Sequence, residues 1–350
     1  MLDKTVVAPP GFTIYRDEHG NRISIQVGLP ISRLFDLLGN TCAGYDLFRK
    51  PALNAALKAL LDSWNRFLGT KDSTRSLTDG ENGWFSKEAL QDLESANRGK
   101  FEETYVCPDP SAVSRGYSSW DSFFTREVQA GARPVEAPDD KSIIHNPCES
   151  TPYFIVYDVK CHDQFWLKNN IYSLYDMLNR DLKLAKEFVG GTVYQAVLSS
   201  LDYHRWRSPV SGIIENVVIV PGTYFCRLPD GGAPKDTPSQ KAGDPWGSMR
   251  RSLPWLAAVA TRALIYIRSD NADIGLICFI AVGMVEVSTC EVTIKEGQYV
   301  KAGSELGMFH YGGSTHVIIF QPHTRLTFAH YVVPGGHVKV NSILARVGKA

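Results

Sequence analysis

Tyr311-Gly312-Gly313-Ser314-Thr315 sets a hydroxyl behind two glycines and ahead of the β-branched run HVIIF. If the turn strains the Gly313 carbonyl toward Ser314 Oγ, the hydroxyl attacks it and an ester replaces the peptide bond. Gly313 has no side chain to shield that carbonyl. Loss of the Ser314 α-proton then eliminates the upstream carboxylate and leaves dehydroalanine, which hydrolyses to a pyruvoyl group with release of ammonia. A serine has become a ketone electrophile. The step needs a base, and Asp202-Tyr203-His204-Arg205 offers one, because imidazole titrates nearest neutrality and can take a hydroxyl proton and return it. A carboxylate in the turn Asn146-Pro147-Cys148-Glu149-Ser150 would orient that imidazole and stabilise its cation. Each residue alone has a plainer reading: a loop serine, a hydrogen-bonded structural histidine, a solvated glutamate.

Two kinds of element must position these groups. From Pro51 to Leu68 apolar residues fall at Leu53, Ala56, Leu57, Leu60, Leu61, Trp64, Phe67 and Leu68, the spacing of an amphipathic helix with proline in its first turn. Ile31 to Leu38 reads the same way, and Ser86 caps a helix through Ala89, Leu90 and Leu93. The first hundred or so residues are therefore expected to be mostly helical. After Pro134 the runs Thr192 to Leu198, Ile213 to Val220, Leu264 to Ile267 and His316 to Phe320 predict strands. One helix is expected near Ser173 to Phe188. Leu228 to Arg251 is dense in Gly, Pro and charge and reads as a long loop. Residues 208–225 and 291–309 are alike, each with a short valine/isoleucine strand, a glycine turn and a second strand, and such pairs resemble the barrel-sandwich hybrid of lipoyl and biotinyl carriers. A carrier lysine at the hairpin tip is missing, since Lys295 and Lys301 flank the Gly297 turn in another setting.

Composition bounds the rest. At 350 residues the chain suggests about two domains. With 44% hydrophobic and 21% charged residues it is globular in type. Thirty-seven basic against thirty-seven acidic residues leave no net charge, against a nucleic-acid binder that works through a basic field. The apolar stretch Ile274 to Val285 is too short to span a membrane and reads as a buried strand. No export signal is visible at the start, and seven scattered cysteines without a CxxC pair suit a reducing cytoplasm. His310, His316, His323, His330 and His337 lack metal-ligand spacing, so no metal is expected. His316, two residues past Ser314 on a strand, points to the serine's face.

Taken together, Gly312-Gly313-Ser314-Thr315, Asp202-Tyr203-His204-Arg205 and Asn146-Pro147-Cys148-Glu149-Ser150 resemble the motifs of the phosphatidylserine decarboxylase family of self-processing pyruvoyl enzymes. Trp120-Asp121-Ser122-Phe123-Phe124-Thr125-Arg126, Gly131-Ala132-Arg133-Pro134 and the stretch from Lys168 to Leu178 extend the resemblance, which runs in the family's order from about residue 118 to the C-terminus. With residues 1–117 read as a helical N-terminal domain, it implies an α+β chain whose β-rich catalytic domain (118–350) has a barrel-sandwich-hybrid-like core. It further implies self-cleavage between Gly313 and Ser314, Ser314 as pyruvoyl precursor and Schiff-base carbonyl, His204 as general base and acid, and Glu149 as the group that orients His204. The pyruvoyl group is then the cofactor, made from the chain itself without pyridoxal phosphate or metal, and the two chains stay associated after cleavage.

Three departures qualify this. The acid is glutamate where the family has aspartate. Arg207 stands where the family often has a second histidine, and it cannot serve as a base. A soluble helical region replaces the anchoring segments of membrane-bound members. The chain therefore looks like the soluble branch that includes the L-tryptophan decarboxylases of fungal secondary metabolism, with a free, aromatic, tryptophan-like amino acid as substrate, a soluble cytoplasmic location and no nucleic-acid partner. Phosphatidylserine is the alternative, and would require an apolar docking face such as Trp246, Trp255 and Leu256. A carrier or binding protein that never processes is the second.

Overall fold

The computed structural model describes residues 8–16, 18–20, 22–27, 30–162, 172–229, 232, 243, 248–286, 289–311 and 314–348. A hairpin of β1 (Phe12–Arg16) and β2 (Arg22–Val27) opens the chain. The helices Pro30–Gly39, Cys42–Phe48, Pro51–Leu68 and Lys87–Leu93 follow. The helix Pro51–Leu68 has the predicted bounds and buries Leu57, Leu61, Trp64 and Leu68 along one stripe. Each such side chain contributes about 1.5–3 kcal/mol by leaving water. Ser86 Oγ accepts from the Ala89 amide at 3.2 Å, the expected cap. The opening hairpin departs from the helical expectation for this region.

The β-rich remainder begins with β3 (Ile143–His145) and β4 (Thr151–Tyr157) and continues through β5 (Thr192–Leu198), β6 (Arg205–Arg207) and β7 (Gly212–Val220). After the helices Ser248–Arg251 and Leu253–Val259 come β8 (Arg262–Ser269), β9 (Leu276–Gly283), β10 (Thr289–Val292), β11 (Tyr299–Val300) and β12 (Glu305–His310). β13 (Ser314–Phe320), β14 (Leu326–Phe328) and β15 (Ile343–Val347) complete the chain. Seven strands form one antiparallel sheet in the order β11-β7-β8-β9-β13-β5-β4. Two three-stranded sheets, β10-β12-β6 and β14-β15-β3, accompany it. β9 and β13 are buried along their whole length, as uninterrupted apolar runs require. The segment Ser173 to Phe188 is two helices, Leu174–Met177 and Leu182–Phe188, because Asn179 and Arg180 take left-handed φ and Asp181 caps the second. Most of Leu228 to Arg251, Trp246 included, and Lys168 lie outside the described residues.

The two alike segments fold onto each other. Ser208 donates its amide to Ser304 and receives that of Gly303, and Ile214 does the same with Gln298 and Gly297. Gly297, at φ +77, makes the turn that brings the second segment back. One hydrophobic core runs from Phe12 to Val347. Its aromatic seam crosses the 117/118 boundary, with Trp84 5.7 Å from Trp120, and Trp120 4.4 Å and Trp64 4.9 Å from the Tyr311 ring. That seam anchors the residue three positions ahead of Ser314.

Candidate active site

Ser314 is the first residue of β13, paired with Leu198 of β5 on one side and Gly283 of β9 on the other. It is fully buried, and among the described residues its Oγ has no hydrogen-bond partner. An orphaned buried hydroxyl is uncommon enough to need a reason. Gly312 and Gly313 lie outside the described residues.

His204 arrives over a short path from the same strands. β5 ends at Leu198 opposite Ser314, and six residues later the His204 carbonyl accepts the Phe309 amide at 3.0 Å, on the strand leading to Tyr311. Arg126, from the Trp120–Arg126 stretch, fixes the approach by donating through Nη2 to the carbonyls of Leu201 (2.9 Å) and Asp202 (3.1 Å). The imidazole stacks on Phe124 at 3.9 Å, and neither ring nitrogen has a hydrogen-bond partner among the described residues. Burial first, then the Arg126 charge, push its pKa down to about 3 against the opposing pull of Asp202. His204 is therefore neutral at ordinary pH, free to accept a proton and poor at holding one.

Asp202 is buried with both oxygens occupied. Oδ1 takes Arg98 Nε at 2.7 Å and faces His337 Nε2 at 3.2 Å, and Oδ2 takes the Ser199 amide at 2.7 Å. Burial works against the charge, but the His337 bond and Arg98 outweigh it and hold the carboxyl below its ordinary value.

Glu149 does not hold His204 as the sequence reading expects. Its oxygens receive Arg133 Nη2 at 2.7 Å and Nε at 3.0 Å, and Oε2 also accepts the Val340 amide at 2.9 Å. The physical reason is that a buried carboxylate must be compensated in full, and the planar guanidinium matches both of its oxygens where an imidazole would meet one. Arg133 Nη2 also donates to the Arg98 carbonyl at 2.6 Å. The two acidic motifs are thus joined through two arginines. Arg207 contacts the Tyr203 hydroxyl and Glu305, away from His204.

His316 lies on the Ser314 face of β13, as expected, between Tyr194 (5.7 Å) and Phe279 (6.0 Å). Burial lowers its pKa to about 3 and both its nitrogens lack partners. His310 sits 3.0 Å from Asp121 and 2.8 Å from Glu291. Among the described residues no three His, Cys, Asp or Glu side chains form a cluster able to hold a metal, and no helix is long and apolar enough to cross a membrane. Trp255 and Leu256, considered as a docking face, are buried in the helix Leu253–Val259.

The sequence reading missed the contacts of Arg98, Arg126, Arg133 and His337. For Arg126 and Arg133 a signal existed, since each lies in a stretch already singled out.

A phosphatidylserine decarboxylase family model matches residues 120–346, and a second model of that description matches residues 1–93. The chain belongs to the phosphatidylserine decarboxylase family. Among relatives of this decarboxylase, "Decarboxylase iboD" of Amanita muscaria (strain Koide BX008) is 69% identical over the full length of both chains. The L-tryptophan decarboxylase of Psilocybe cubensis is 35% identical over 91% of this chain and 74% of its own. Phosphatidylserine decarboxylase proenzyme 3 of Schizosaccharomyces pombe (strain 972 / ATCC 24843) is 28% identical over 59% of this chain and 19% of its own. The motif reading and the comparisons agree on a carboxy-lyase.

Proposed function

We propose that this decarboxylase cleaves itself between Gly313 and Ser314, carries a pyruvoyl group at the new end, and acts on a free, aromatic L-amino acid. The observation that carries the reading is the buried Ser314 hydroxyl, without a partner among the described residues, at the head of β13 and preceded in sequence by two glycines. These residues fit such a group: among the described residues no side chain is bonded to Oγ, and His204, six residues past the Leu198 that pairs with Ser314, is neutral and unpartnered. His204 takes the hydroxyl proton as Oγ attacks the Gly313 carbonyl, and Arg126 holds the loop that presents it. Glu149 acts at one remove, by fixing Arg133, which in turn grips the Arg98 backbone beside Asp202. When formed, the pyruvoyl group supplies a ketone that takes the substrate amine and accepts electrons as carbon dioxide leaves.

The two chains stay together after cleavage. β13 lies between β5 and β9 in the large sheet, and β15 pairs with β3, so residues 314–348 remain stitched in by strands that precede the cut.

The free amino acid is favoured by the tryptophan decarboxylases that match most of this chain. Phosphatidylserine draws on one feature, the leucines Leu34, Leu37 and Leu38, which lie exposed on one face of the helix Pro30–Gly39. Incubating the purified protein with tryptophan, other aromatic amino acids and phosphatidylserine vesicles decides between them. Amine and carbon dioxide from an amino acid, with vesicles untouched, is the expected result. Phosphatidylethanolamine from vesicles, with no amino acid consumed, would overturn it.

A further inference from the structure

We propose that Glu286 is a second proton-carrying residue of this site, delivering a proton to the substrate's α-carbon while His204 serves the cleavage at Ser314. The inference rests on the functional reading above.

Placement comes first. Ser314 pairs with Gly283 at the end of β9, and Glu286 follows three residues later. Between them Val285 takes φ +54, a left-handed conformation that a β-branched residue rarely adopts, and its amide is tied to the Tyr224 carbonyl at 3.0 Å. The chain is thereby turned so that Glu286 goes inward, to 1% exposure. Tyr311, three residues ahead of Ser314, feels the Glu286 charge. Glu286 thus lies three residues from the strand partner of Ser314 and within electrostatic reach of Tyr311.

Its bonding is incomplete. Oε1 accepts the Ser32 amide at 2.7 Å, in the first turn of the helix Pro30–Gly39. Among the described residues Oε2 has no hydrogen-bond partner, and neither does the Tyr311 hydroxyl. A carboxylate kept only for capping would be expected to have its second oxygen solvated or bonded. Burial raises the Glu286 pKa to about 7, opposed by the amides of Ser32, Glu286 and Ile31 and by the Arg227 charge. Arg227 is itself paired with Asp36. A group so poised both holds and gives up a proton near neutrality, which His204 at about 3 does not.

The step balances. The bond from the α-carbon to the carboxylate breaks, carbon dioxide departs without the electron pair, and that pair forms a new C–H bond with the Oε2 proton. Water returns one proton to Glu286 in each turnover, the proton that decarboxylation consumes.

The test compares wild type, Glu286→Gln and Glu286→Asp by intact mass, kinetics and infrared difference spectra. Glu286→Gln should cleave like wild type, yet lose about 10²–10⁴-fold in kcat with KM changed little, and Glu286→Asp should recover part of it. Wild-type kcat should fall as pH rises through about 7, with loss of a carboxylic-acid band that Glu286→Gln lacks. A cleaved Glu286→Gln with wild-type kcat and pH profile overturns the inference, and so does one that fails to cleave, since the two proton tasks are then not separate. A wild-type chain that stays whole instead removes the functional reading beneath it.

Discussion

Glu149, Asp202 and Glu286 are all buried carboxyl groups, yet the first two are treated in the opposite way to the third. Glu149 and Asp202 each have an arginine and a backbone amide on their oxygens. Glu286 has the Ser32 amide bonded to one oxygen and, among the described residues, no hydrogen bond of good geometry on the other. The contrast separates position from chemistry. A carboxylate saturated by a guanidinium has no lone pair or proton to spare and serves as a joint, whereas one left half-satisfied stores a cost that bound substrate can relieve.

The largest effect should come from breaking a saturated pair. Arg133→Met strands the Glu149 charge and should destabilise the protein by about 3–5 kcal/mol, and adding Glu149→Leu should restore much of that. Chemical denaturation of the single and double variants checks it, and equal stability of Arg133→Met and wild type would erase the contrast.

The unsaturated carboxyl should respond with the opposite sign. The Glu286 pKa is raised in the folded state, so its stabilising contribution is complete below the unfolded value near 4.5 and is lost as pH rises through about 7. Glu286→Gln should therefore gain stability over wild type across that window, on the order of 2 kcal/mol by neutral pH. Thermal unfolding at a series of pH values would show this as diverging midpoints.

A smaller effect is expected at His310, where burial works to lower the pKa but Asp121 and Glu291 outweigh it and raise it to about 8. Its contribution is complete below about 6.5 and fades as pH rises through about 8. His310→Gln should cost on the order of 1 kcal/mol at pH 6 and nearly nothing at pH 9. A cost independent of pH would mean that the ring packs without carrying charge.

Local signals made much of this legible in the sequence. The helix Pro51–Leu68 and β5 have the expected bounds because side-chain period and flanking proline or glycine are properties of neighbouring residues. The hairpin of β1 and β2 was missed, since two strands of five and six residues leave little alternation to read. Ser314 and His204 stood out through their immediate neighbours. The partner of Glu149 did not, because Arg133 is brought to it by the tertiary fold and nothing in either segment names the other. Glu286 was hidden for a similar reason: its significance is an unmet hydrogen bond, which exists only once the surroundings are built.

The central claim is that Ser314 opens the chain, and intact mass under denaturing conditions tests it most directly, with Ser314→Ala as control. The account predicts two chains from wild type, one ending at Gly313 and a smaller one whose first residue has lost its amino group, and a single chain from Ser314→Ala. One uncut chain of 38.9 kDa from wild type would contradict it.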